Sequence, residues 1–398
     1  MKKRLGLLFI LLTLPLLVWA FDFGLIFDQS VGRGGYSGDS SADNTSSLIP
    51  RFSTLLGDRG EIFISAGIMA EYVNDSWSFV PELLRTELTW HFDFGDLRIG
   101  RMNYSDPLGF IAEGLFDGGR FSYDSNFGTF SLGGWYTGFL YNRRVNITMT
   151  DDELRAYNAV LDYDDFANSY FAPSRFLYAL DWTHNGIGTG FIRPGFSFLG
   201  QFDLSDSELH SQYLTASLSL PLDAFLFNLG GSLAFIQDSG DSDMAYAAEA
   251  RIAWVPPTAF GSRLSLLGRY SSGKSGNTAA FLPITTKFQG SILKAKLSSL
   301  SMISLDYTAR LNRSFSINAA SSYFIRNDLG TYNRYPVDSE NNSGNLLGNE
   351  FSGRLYWSPY SDLAINVGAG IFMPSMGNVS TGEKNLWRVE LGLVLSLY

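Results

Sequence analysis

Along LWRVELGLVLSLY, residues 386–398, the side chains sort by parity. Trp387, Val389, Leu391, Leu393, Leu395 and Leu397 fall on one face, and Arg388, Glu390, Gly392 and Ser396 on the other. A period of two marks a strand with one apolar and one polar side. The pattern recurs in SDLAINVGAGIF, where Leu363, Ile365, Val367, Ala369 and Ile371 oppose Asn366, Gly368 and Gly370. Similar stretches run over 21–29, 49–57, 61–72, 82–93, 96–104, 114–124, 128–142, 174–184, 190–202, 211–220, 224–236, 244–254, 262–271, 300–311, 314–326, 350–358, 361–372 and 386–398. That makes about 18 strands, with about 16 as the neighbouring count, each near the length a tilted strand needs to cross a bilayer.

The connections carry a second signal. After even strands they are tight and rich in Gly, Pro, Asn and Asp, as in GDRG, FGD, HNGIG, PLD, LNRS and SPYSD. After odd strands they are longer and polar, notably 31–48, 143–173, 272–299 and 327–349. This alternation predicts an all-β chain: a transmembrane antiparallel up-and-down β-barrel with short periplasmic turns and long extracellular loops. Trp90, Trp182, Trp254 and Trp357 each end an even strand just before its short turn, the expected place for an aromatic girdle at one membrane face. In a closed barrel the final strand pairs with FDFGLIFD, residues 21–28, and no edge stays bare. The terminal Tyr398 resembles the C-terminal assembly signal of Gram-negative outer-membrane proteins, which implies the barrel-assembly machinery and an outer-membrane bilayer as partners. By alternation Tyr398 belongs to the polar register of Ser396, whereas that signal places its aromatic on the apolar side.

At the other end, Lys2, Lys3 and Arg4 precede an apolar run from Leu5 to Val18, and Val18-Trp19-Ala20 offers a cleavage site. Residues 1–20 are expected to be a cleaved secretory signal and 21–398 the barrel. Removing those three basic residues from 29 leaves 26 against 39 acidic ones, a formal charge of −13, which argues against nucleic acid as a partner. With no cysteine, disulfides contribute nothing to stability. Aromatic residues reach 15% and glycines number 41, as suits aromatic-rich strands broken by turns.

The polar parity defines a candidate solute pathway. Arg85, Glu87, Arg98, Arg120, Asp181, Glu249, Arg251, Arg263, Arg269, Asp306, Arg310, Arg354, Arg388 and Glu390 are expected to face the lumen. A wall so charged implies water inside, and 18 strands enclose more space than side chains fill. Guanidinium forks favour small polar or anionic solutes. In MTDDELRAYNAVLDYDDF, Thr150 and Glu153 form a candidate capping box, and Asp151, Asp152, Glu153, Asp162, Asp164 and Asp165 would face the arginines if this loop folds inward as a constriction.

Other chemistry is thin. His91, His184 and His210 are far apart, and no HExxH, GxSxG or nucleotide-binding loop occurs. DSGDSD at 238–243 has carboxylates that could gather calcium, but it lacks a full ligand series and reads better as a polar loop. No catalytic residue, metal or cofactor is expected.

LRIGRMNYSDPLGFIAEGLFDGGRFSYD, residues 97–124, resembles the alginate-export and related substrate-specific porin families in its Gly-Arg step, Asp-Pro loop and Asp-Gly descending strand. The resemblance implies a large barrel whose lumen arginines pass anionic polymers or small acids, with Arg98, Arg101 and Arg120 at the matching positions. Arg101 is out of register with Arg98 in strict alternation. The reading that follows is an outer-membrane channel for passive, partly selective diffusion and not an enzyme. The alternative is a surface adhesin or receptor that displays its loops on a barrel.

Overall fold

The computed structural model describes residues 21–398 except 37, 74, 188–190, 206–207, 239, 259–260, 277, 330–343 and 380–383. The leader expected over 1–20 lies outside the described residues.

Among the described residues the chain forms one 18-stranded antiparallel sheet. Its strands are β1 (Phe21–Tyr36), β2 (Asp39–Leu56), β3 (Gly60–Val73), β4 (Ser76–Phe92), β5 (Gly95–Ser105), β6 (Glu113–Ser125), β7 (Gly128–Tyr136), β8 (Arg175–Thr183) and β9 (Arg193–Asp203). They continue as β10 (His210–Leu222), β11 (Phe225–Asp238), β12 (Asp241–Trp254), β13 (Arg263–Ser271), β14 (Leu300–Arg310), β15 (Phe315–Arg326), β16 (Leu346–Tyr360), β17 (Leu363–Met373) and β18 (Leu386–Leu397). Each pairs with its neighbours in the chain, and β1 also pairs with β18 from Leu25↔Leu397 to Tyr36↔Leu386. The sheet is therefore a closed barrel, which satisfies every strand direction without leaving two long free edges.

The parity pattern explains the wall. On β10 to β12, Leu214, Leu229, Leu233, Tyr246 and Ile252 are exposed on the outer face, while Tyr213, Ala234, Ala245 and Ala247 are buried on the inner one. Large apolar groups left facing outward along strand after strand suit a lipid surround rather than water.

Three boundaries differ from the sequence reading. The segment 31–48 is not a long loop: β1 runs to Tyr36 and β2 starts at Asp39, paired throughout. Small polar residues there keep both faces wet, and a strand needs no apolar face when its ladder is complete, so alternation was no guide. Gly32 also leaves room for the Arg388 guanidinium, which a Cβ would strike. β7 stops at Tyr136 rather than 142, because Leu140 and Tyr141 turn away to pack in two separate buried clusters. β16 begins at Leu346, so part of the expected 327–349 loop is wall. DSGDSD straddles the β11–β12 hairpin, with Asp238 opposite Asp241.

Three connections fold into the barrel. Phe110, Ile111 and Ala112 from the β5–β6 connection, Leu140, Val145, Ile147 and Met149 from the β7–β8 connection, and Phe281, Ile284 and Leu297 from the β13–β14 connection share one buried cluster. That cluster also holds Met102, Trp135, Leu177, Leu199, Tyr213, Ala234 and Ala245, which come from strands between β5 and β12. Only inward-folded connections packed on the inner face reach so many strands. The β7–β8 connection carries short helices α1 (Asn142–Val145), α2 (Asp151–Asn158) and α3 (Phe166–Tyr170). The capping box at Thr150 and Glu153 is formed.

Two carboxylates organise these inward connections. Asp106 accepts from the backbone N–H groups of Leu108, Gly109, Ile111 and Ala112 at 2.8–3.0 Å. Glu350, on β16, accepts from those of Ser291, Ile292 and Leu293 at 2.7–3.1 Å. The second set fixes the tip of a hairpin that is pinned at its base by reciprocal bonds between Gln289 and Ala295. A charged acceptor holding several N–H donors orders a loop that has no ladder of its own.

Candidate solute pathway

The charged residues expected on the polar parity meet in patches. On β4 and β5, Glu87 accepts from Arg85 at 2.7 Å and lies 3.9 Å from Arg98, which also bonds Asp96 at 3.0 Å. Arg120 lies 3.4 Å from Asp181. Glu249 joins Arg269 at 2.6 Å and Arg251 at 3.8 Å, and Arg269 donates to Gln289 of the inner hairpin at 2.7 Å. Asp306 accepts from the Asn318 amide at 2.8 Å. Arg310 sits apart at the short-turn end, donating to the carbonyls of Asn312 and Arg313. The Arg263 Nε is buried with no hydrogen-bond partner among the described residues.

Across the closing strands, Arg354 bonds Glu390 at 2.7 Å, Arg388 reaches Glu390 at 3.5 Å, and Arg388 bonds Asp43 at 2.7 Å. Beside this cluster is a cavity of about 240 Å³ bordered by Ser291, Asn318, Tyr356, Arg354, Arg388 and Glu390. Lys294, in a left-handed backbone conformation, lies close enough to the cluster to feel the charges of Arg388, Asp43 and Glu390. Loss of hydration, then the positive Arg388 beside it, pushes its ammonium below the usual lysine range.

The acidic loop behaves differently from its expected alignment. Of its six carboxylates only Glu153 is buried, and it meets a wall arginine, Arg175, at 2.5 Å. Arg175 is fully buried and is held as well by Asp203 at 3.4 Å and by the oxygens of Gln201 and Leu209. Asp151, Asp152, Asp162, Asp164 and Asp165 stay exposed, with local bonds such as Asp152 to Arg155 and Asp165 to Asn168. Burying five more carboxylates would need five more partners. The loop instead turns its own cations on the wall: Arg143 bonds Glu71 at 2.5 Å and Arg144 bonds Glu82 at 2.7 Å. These line or flank a second cavity, about 340 Å³, with Tyr141, Tyr157, Asp28, Thr45 and Ser47.

Asp43, Glu71, Glu82, Arg143, Arg144 and Arg175 were missed by parity. Asp43 falls in the 31–48 stretch, whose polar sequence predicts a loop. Glu82 lies before a bulge opposite Ser65 and Ala66, which swaps the parity of β4 so that Glu82 and Glu87 share a face. Arg175 shares the parity of Asp181 on β8, and that was a usable signal. Arg101 is on the opposite parity from Arg98: it grips both oxygens of Asp117 at 2.8 Å.

At the short-turn end, three of the four tryptophans stack on aromatic rings of neighbouring strands. Trp357 stacks on Phe315 at 5.7 Å, Trp254 on Phe225 at 6.4 Å, and Trp182 on Phe196 at 5.7 Å. Trp90 lies opposite Gly60, with its ring where a Cβ would be. Tyr398 keeps the polar register, with the Arg51 guanidinium 4.2 Å over its ring.

No protein-family model matches the chain, and no curated protein matches it. Solved structures do. Pseudomonas aeruginosa OccK2 (OpdF) superposes with a TM-score of 0.65 at 12% identity, over 95% of this chain and 97% of that one. The same protein in complex with glucuronate gives 0.64 at 12%, over 95% and 98%. The outer membrane protein OprD from the same organism gives 0.58 at 13%, over 95% and 94%. The chain thus has the closed 18-strand barrel fold of the OccK2 and OprD structures.

Proposed function

We propose that this protein is an outer-membrane channel, set in the lipid bilayer with the help of the barrel-assembly machinery, for passive and partly selective diffusion of small polar or anionic solutes. The observation that carries the reading is the inner hairpin at 289–295. It crosses from Arg269 to Glu350 and narrows the lumen beside the charged Arg354, Arg388, Glu390 and Asp43 cluster. A passage narrowed by a pinned hairpin and bordered by guanidinium forks sorts solutes by size and by carboxylate content. The glucuronate complex of OccK2 makes a uronate-sized acid the first solute to try here.

The test is single-channel conductance of residues 21–398 in a planar bilayer. Steady conductance with anion preference, reduced by millimolar glucuronate, is the expected result. A folded, inserted barrel that passes no current would overturn the channel reading.

A further inference from the structure

The barrel wall forks between β4 and β5. These strands pair only from Phe92↔Gly95 up to Thr86↔Arg101, and above that β4 pairs with β3 alone. The fork has its own devices. The β4 bulge sits there, and Gly100, at φ +116°, lets its backbone press on the Thr86 carbonyl where a Cβ would not fit. Above the fork the free edge of β4 would leave polar backbone bare in a membrane, which costs several kcal/mol per group.

Side chains close that edge. The Tyr163 hydroxyl accepts from the Phe79 N–H at 2.6 Å and donates to the Phe79 carbonyl at 3.2 Å. Pro81 has no N–H to satisfy, and its carbonyl accepts from the Tyr170 hydroxyl at 2.6 Å. The Leu83 carbonyl accepts from Arg101, whose other nitrogen donates to the Phe139 carbonyl at 3.0 Å. All but Arg101 belong to the β7–β8 connection, so a loop replaces a strand in the wall.

The filling is apolar and continuous. Val80, Met69, Tyr141, Leu161 and Tyr170 form a buried cluster. Tyr141 borders the lumen-side cavity, Tyr141 touches Tyr170 at 5.1 Å, and Tyr170 touches the exposed Phe171 at 5.1 Å. Hydroxyl-to-backbone bonds are single and reversible, unlike a strand ladder.

We propose that this seam is a side door: the 137–172 segment shuts it, and molecules with an aromatic or acyl body pass through it between lumen and outer leaflet. This rests on the reading of the chain as a membrane-spanning channel. The chain has no cysteine, so Val80→Cys places one thiol behind the door. In liposomes holding the full barrel, its reaction with N-dodecylmaleimide, carried by the bilayer, is compared with that of a sulfonated, water-borne maleimide. Adding Tyr163→Phe, and separately Tyr163→Phe with Tyr170→Phe, removes the latch hydroxyls.

The expected result is at least about a fivefold faster reaction with the bilayer reagent for the double variant, with the water reagent little changed. Equal acceleration by both reagents would mean that the segment opens only to the lumen, and would overturn the side door. So would unchanged rates in protein that still shows the heat-modifiable migration of a folded barrel. Tyr163→Phe alone, at an exposed tyrosine, provides the reading if the double variant folds poorly. Conductance of the same liposome preparation is recorded separately, so a non-conducting barrel with a working door, or the reverse, is recognised as such.

Discussion

Arg388 and Asp43 are joined by two bonds, at 2.8 and 2.7 Å, although they lie on strands separated by β1. The pair passes over Gly32, whose missing side chain is the space the guanidinium occupies. A bidentate pair across the closing strands stitches the wall, and in the proposed channel it also contributes to the charge beside the passage.

Asp43→Asn leaves Arg388 with Glu390 alone and removes one negative charge from the passage. At about 4 Å in a wet lumen one charge is worth about 1 kcal/mol. The anion-to-cation permeability ratio, measured from reversal potentials in a salt gradient, should rise a few-fold, and Arg388→Gln should move it the other way. Both shifts should shrink in 1 M salt.

Glu350→Ala strips the acceptor from three N–H groups at the hairpin tip. Each orphaned donor costs about 1–3 kcal/mol if it stays dry, so the tip should leave its seat. Single-channel records should show larger mean conductance and more flicker. A quiet trace of normal size would show that the hairpin is held by packing of Ile292 instead.

Glu153→Gln removes the main charge partner of the fully buried Arg175. Breaking one side of a buried pair typically costs about 3–5 kcal/mol. Asp203 remains at 3.4 Å and should keep the loss near the lower figure. The heat-modified transition on gels, or guanidinium unfolding in detergent, should move to milder conditions, with ion selectivity less affected than by Asp43→Asn.

Trp357→Ala removes a ring stacked on Phe315, with 5° between planes. Such pairs are worth about 0.5–1.5 kcal/mol beyond the area they bury. Unfolding from bilayers should be easier by about that much or more, while conductance stays the same.

The strands were legible because every strand shows one face to an apolar surround, and that imposes a period of two wherever the outer face needs lipid-compatible groups. Above the apolar belt the constraint ends, and the upper halves of β1 and β2 read as loop. The bulge in β4 shows the second limit. A single extra residue exchanges the faces, so Glu82 and Glu87 cannot both be placed by counting from one end. Parity picks out part of the wall's charge, but not Asp43, Glu71, Glu82 or Arg175, and it gives none of the partners. Arg143 with Glu71 and Arg175 with Glu153 join a strand to a folded connection, and such contacts leave no periodic trace.

The β1–β18 ladder has a kinetic meaning. It unites Leu25 with Leu397 and Tyr36 with Leu386, so contacts of the longest range in the described chain belong to a single junction. Loop-closure entropy makes such contacts slow and late. Until they form, the other strands are an open, rolled sheet with two bare margins, each able to recruit a foreign strand. Closure of this barrel is therefore expected to come late and at one junction, and the time before it is when the protein most needs its margins guarded.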